Sequence, residues 1–153
     1  MKSAYYGAVT TNAYRIAMDR YTADPANYRH DPALSVELDS VSHREYCTGF
    51  YFGSPGVDAN TVTVGGYLRE KAYLATVISY DEETGRARFV QRNKTSTGES
   101  AELVSPGMIG RPFTVGELYG EDGSVIPSTP HPGMIFETVM PFPVKPGDIM
   151  RGA

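Results

Sequence analysis

The spacing of apolar residues changes once along this chain, at His43–Gly53, and that change limits what each side can fold into. Before it, apolar side chains recur at helical spacing. After it, they follow the alternation of strands, broken by Gly and Pro. The stretch itself, His43-Arg44-Glu45-Tyr46-Cys47-Thr48-Gly49-Phe50-Tyr51-Phe52-Gly53, carries four aromatics in the seven residues from Tyr46 to Phe52. It reads as a hydrophobic clasp tying a helical lead-in to a β domain, with Phe50 and Phe52 or else Tyr51 turned inward.

Upstream of the clasp, Ser3 is placed to cap a helix running from residue 4 to about residue 21. Tyr5, Val9, Ala13 and Ile16 share one face, and Tyr6, Tyr14, Ala17 and Tyr21 share another. That is more apolar surface than a helix covered on one side needs, so the spacing predicts either two covering layers or a partner. Asp24-Pro25 ends the helix, because the residue before a proline is pushed out of the α region. Asp31-Pro32 starts a second, with Asp as cap and Pro in the first turn; Leu34, Leu38 and Val41 give its buried face. Residues 53–60 are loop by composition and are expected to be mobile.

Downstream, the alternation predicts about seven short strands. A long one runs from Tyr67 to Tyr80, and Asp81–Gly85 turns it into Arg86–Asn93. Ala101–Val104, Phe113–Tyr119, Val125-Ile126, Met134–Met140 and Ile149-Met150 follow. The prolines at 127, 130, 132, 141, 143 and 146 mark strand ends and edges, since they cannot donate to a central ladder. The expected fold class is therefore α+β: two N-terminal helices followed by a small antiparallel β-barrel. Its expected divisions are a helical lead-in over 1–42, clasp and loop over 43–66, and a barrel domain over 67–153.

Composition narrows the function classes. A formal net charge of −4, with five basic and seven acidic residues through Asn60 and nine and eleven beyond it, offers no general positive field for phosphates. One cysteine rules out an internal disulfide framework, and a free thiol beside six methionines fits a cytoplasmic compartment. No apolar run approaches the ~20 residues that span a bilayer, so no membrane partner is expected.

Few residues offer chemistry. Cys47 with His43 and Glu45 would share one face of a strand, but a lone Cys amid aromatics reads as a small buried hydrophobe. His30, His43 and His131 lack metal-ligand spacing. Glu82-Glu83 and Glu121-Asp122 lie in turns, where no desolvation would tune an acid or base. The constellation with most functional content is Arg86, Arg88, Arg92 and Lys94. These alternate along one strand and are expected to project from one face, as a stripe for an acidic peptide or an RNA backbone or as a plain solvated face. No catalytic residue, cofactor or metal site is expected.

H-R-x-Y-x-T-G-F-Y-F-G from His43 resembles the entry to the C-terminal domain of the collagenase-like peptidases, peptidase family U32. M-K-S-A-Y-Y-x-A-x-x-T-N-A-Y-R from Met1 resembles the segment that follows the family's catalytic domain, so Met1 falls in mid-pattern. Q-R-N-K at Gln91–Lys94, E-L-V-S-P-G from Glu102, and the close H-P-G…P-V-K-P-G-D-I-M-R extend the likeness over nearly the whole chain. The family's catalytic signature, with Glu, Gly and paired cysteines, is absent. Cys47 stands where relatives often carry a small hydroxyl residue. The resemblance implies a barrel similar to the second domain of elongation factor Tu. It also implies an accessory, non-catalytic domain that positions substrate or packs on a catalytic domain. The implied partners are a U32 catalytic domain and the parent's protein or peptide substrate. Some relatives act in tRNA hydroxylation, which implies as the alternative an RNA-facing module with tRNA as partner.

Overall fold

A computed structural model of the chain describes residues 3–43, 46–56 and 71–153. Two helices come first. In α1 (Ala4–Ala23) the Ser3 hydroxyl accepts from Tyr6 N–H at 3.2 Å, and the helix closes with Asp24 N–H donating to Arg20 C=O. In α2 (Pro32–Asp39) the Asp31 carboxylate accepts from Ala33 N–H at 3.0 Å ahead of a proline in the first turn. Arg20 donates to Asp31 at 2.6 Å, joining the end of α1 to the cap of α2.

Eight antiparallel strands follow: β1 (Tyr73–Tyr80), β2 (Arg86–Gln91), β3 (Ser100–Val104), β4 (Arg111–Thr114), β5 (Leu118–Gly120), β6 (Val125–Ile126), β7 (Ile135–Val139) and β8 (Ile149–Gly152). They form one curled sheet, a half-barrel, in the order β4-β3-β8-β1-β2-β7-β5-β6. The α+β class holds. The expected strand Phe113–Tyr119 is two strands, because β4 and β5 lie near opposite ends of the sheet. Val115 still bonds Glu99 and Gly98, at 2.9 and 2.8 Å, whereas Tyr119 pairs with Glu137 of β7. The chain between them therefore spans the curl. At one end of the curl, Thr95 and Thr97 bond Thr129 and Pro127. Residues 67–70 of the expected first strand lie outside the described residues.

The sheet has a core on each side. Inside the curl, Leu74, Ala75, Val77, Ala87, Leu103, Leu118 and Met150 surround Phe89 and Phe136, a cross-strand pair stacked at 5.2 Å. On the convex side, α1 lays Tyr5 and Val9 against Val104 and Ile149, with Val41 from the segment after α2. Tyr5 stacks on Tyr73 at 5.4 Å. Asn12 fastens the same helix to the β3–β4 loop, donating to Ser105 and Met108 carbonyls and accepting from Gly107 N–H at 2.7 Å.

The aromatic stretch differs from expectation. Residues 48–53 form turns, and Phe50, Tyr51 and Phe52 are 82%, 84% and 83% exposed. The inward ring expected of a strand is absent because the backbone turns at these residues and never alternates.

Candidate functional site

The cation stripe forms only in part. Arg86 and Arg88 point outward from β2, alternating with buried Ala87 and Phe89. β2 ends at Gln91, so Arg92 and Lys94 lie past the strand, exposed, with no ion pair among the described residues. Acidic partners occupy the first two. Arg86 lies 3.6 Å from Glu137 and over the Tyr119 ring at 4.1 Å, and Arg88 meets Glu121 at 2.6 Å. Glu82 and Glu83, the neighbours in sequence, are not the partners. A cleft of about 340 Å³ beside the stripe is lined by Arg86 and Arg88 but also by Asp81 and Glu137. Its charges cancel, leaving little field to gather phosphates.

The remaining sequence candidates are dispersed. Cys47 is exposed in the segment after His43. His43 stacks on Tyr46 at 4.5 Å and lies 3.8 Å from Asp39, while Glu45 falls outside the described residues. His30 bonds Ser35 at 3.0 Å and His131 is exposed in a turn. Among the described residues no three His, Cys, Asp or Glu groups converge on a metal position. The acidic turns are solvated and internally bonded. A hydrogen bond from Thr84 and then one from Glu83 N–H hold the Asp81 carboxyl below its ordinary value, and bonds from Ser124 do the same for Asp122.

The strongest charge cluster was not anticipated from the sequence. Arg151 of β8, 1% exposed, makes a bidentate pair with Glu37 of α2 at 2.9 and 2.7 Å. It also donates to Ser40 at 2.9 Å and to Glu102 of β3 at 2.8 Å, and Lys71 caps the far oxygen of Glu102 at 2.5 Å. Gly110 N–H completes Glu37 at 3.1 Å. Burial would raise the Glu102 carboxyl; the bonds from Lys71 and Arg151 outweigh it and hold the group below its ordinary value. Burial would likewise lower the Arg151 guanidinium, and the Glu37 and Glu102 carboxylates reverse that. With its donors and acceptors matched, the cluster joins helix to sheet and leaves no reactive group free. One sequence signal existed: Glu37 falls three residues after Leu34 and four before Val41, within the predicted apolar face of α2.

Besides the exposed rings at 50–52, an open apolar surface lies on α1. Tyr5, Val9, Ala13 and Ile16 are buried as the spacing predicts, while Tyr14, Met18 and Tyr21 are 61%, 60% and 55% exposed. A second groove, about 410 Å³, runs between α1 and the β3–β4 loop, with Gly7, Thr11, Val104, Pro106 and Ile149 among its walls. No helix among the described residues is long and apolar enough to cross a membrane.

Comparison with known proteins adds four findings. Residues 69–151 match the peptidase family U32 C-terminal domain, and residues 1–61 match peptidase family U32 itself. The chain is similar to the tRNA hydroxylation protein P1 of Bacillus subtilis (strain 168), 29% identical over 153 residues. That match covers 99% of this chain and 36% of the relative, so the chain spans about a third of the curated relative's length. Among solved structures, it resembles the selenomethionine variant of the C-terminal domain of a Geobacillus thermoleovorans protein assigned to the U32 peptidases. That likeness has a TM-score of 0.50 at 30% identity, covering 54% of this chain and 99% of the other.

Proposed function

The chain belongs to peptidase family U32, and from that membership we propose that it acts as a non-catalytic C-terminal module of a U32 protein. The chemistry is then done elsewhere in that protein, and this module packs against it or positions its substrate. What supports this is that the described groups suited to chemistry are occupied or solvated. Arg151, Glu37, Glu102 and Lys71 neutralise one another, and Cys47 stands exposed with no base and orienting group gathered around it among the described residues. Purified chain should cleave neither casein nor gelatin. Cleavage abolished by Cys47→Ala would overturn the proposal.

For the larger protein's activity, tRNA hydroxylation is favoured over proteolysis by the likeness to the Bacillus subtilis relative across 99% of this chain. Under that reading Arg92 and Lys94 are the members of the stripe that stand exposed with no ion pair among the described residues, open to a phosphate backbone. With Arg86 and Arg88 already paired, their own affinity for tRNA is weak. Reversing Arg92 and Lys94 to Glu should lower tRNA binding by the larger protein and leave folding unchanged, because exposed charges contribute little to stability. Such binding should also weaken with salt, by about 0.7–0.9 log units per log unit of salt for each phosphate neutralised.

A further inference from the structure

We infer that the outer face of α1 docks the part of a U32 protein that lies beyond the stretch matched here. This inference rests on the module reading above and adds the surface through which the module is held. Tyr14, Met18 and Tyr21, at i, i+4 and i+7, form a continuous exposed stripe on a helix whose opposite face is already buried. Tyr28 meets Tyr21 edge-on at 5.6 Å, and these rings with Ala17, Met18 and Thr22 enclose a hollow of about 300 Å³.

The rim is polar and satisfied: Arg15 pairs with Asp19 at 2.8 Å and Arg20 with Asp31 at 2.6 Å. An aromatic and methionine centre inside a neutral polar rim is the composition of a protein-binding patch. Arg29, next to Tyr28, donates to the Tyr28 carbonyl, and Asp24 of the same α1–α2 connection, whose carboxylate bonds Asn27, balances its charge, so the face carries no net positive charge for RNA. The family match points to the partner it fits. The whole face lies within residues 1–61, which match peptidase family U32 itself, not its C-terminal domain, and the curated relative is nearly three times as long as this chain. A helix whose sequence pattern belongs to the larger part of the family packs most naturally against that part.

Hydroxyl-radical footprinting tests this on two proteins, the isolated chain and the full-length Bacillus subtilis relative with its matched segment replaced by this chain, so that the same side chains are read in both. Tyr14, Met18 and Tyr21 should label readily in the isolated chain. In the full-length replacement the same three should label several-fold more slowly. Tyr14→Glu with Tyr21→Glu should leave the melting temperature of the isolated chain unchanged. Equal labelling in the two proteins would overturn the inference. So would protection in the isolated chain through dimerisation, seen by light scattering, or protection that appears only when tRNA is added. None of these outcomes bears on whether the chain is catalytic, so the module reading stands or fails separately.

Discussion

Arg151 joins the helical and β parts of the chain, and its surroundings explain a glycine and an acid response. A Cβ on Gly110 would run into the Arg151 Nη2 and come within 2.5 Å of the Glu102 carboxylate. Gly110→Ala must therefore displace a buried, fully bonded ion cluster. Arg151→Met should cost about 3–5 kcal/mol in urea unfolding, because it leaves Glu37 buried without its counter-charge. A loss below about 1 kcal/mol would show that the cluster is incidental. The Glu102 carboxyl titrates below its ordinary value of 4.5 in the fold, so the stability it contributes is complete above that pH. It is lost as pH falls through the lower folded value. Urea midpoints should thus fall on acidification below about pH 4.5, and Glu102→Gln should flatten that dependence. Little of this cluster was legible in the sequence. Its members are far apart along the chain, and only Glu37, an acid on an apolar helix face, betrayed it.

Among the elements, α1 was read most completely and the aromatic stretch least. Helical spacing identified Tyr5, Val9, Ala13 and Ile16 as the buried face, because a 3.6-residue period is a local property. Ile16→Ala should cost about 2–5 kcal/mol, while Tyr14→Ala should stay within about 0.5 kcal/mol. Comparable losses from both would mean that the second face is covered in the isolated chain. Phe50, Tyr51 and Phe52 were expected to alternate as a strand, and they lie instead on turns with every ring in solvent. Composition cannot distinguish those outcomes, since aromatic content signals burial only once a backbone direction is set. Singly and together, their alanine variants should change stability by about 0.5 kcal/mol or less. The single strand expected over 113–119 failed for a related reason. Alternation marks which residues face inward, but it does not mark where a strand leaves one neighbour for another. In β2 the alternation did hold, and the outward face of Arg86 and Arg88 followed from it; their partners Glu137 and Glu121 come from β7 and the β5–β6 turn, which only the curl of the sheet brings near.

At the scale of the whole molecule, a half-barrel is buried on its concave side by its own side chains and on its convex side by α1. Among the described residues an aromatic helix face and a run of exposed rings are left open, surfaces suited to contact. Hydrogen exchange on the isolated chain should therefore show α1 protected through Asn12 and Tyr5 yet opening before β1, β2 and β7, which lie in the middle of the sheet. Equal protection throughout would mean that α1 needs no further cover. That the chain is a module with no chemistry of its own is tested most directly by hydroxylated tRNA, quantified by mass spectrometry in Bacillus subtilis cells. Three strains are compared: one lacking the curated relative, one carrying this chain alone, and one carrying the relative with its matched segment replaced by this chain. The segment replacement should raise hydroxylated tRNA above the deletion strain, and this chain alone should not. Restoration by this chain alone would contradict the account.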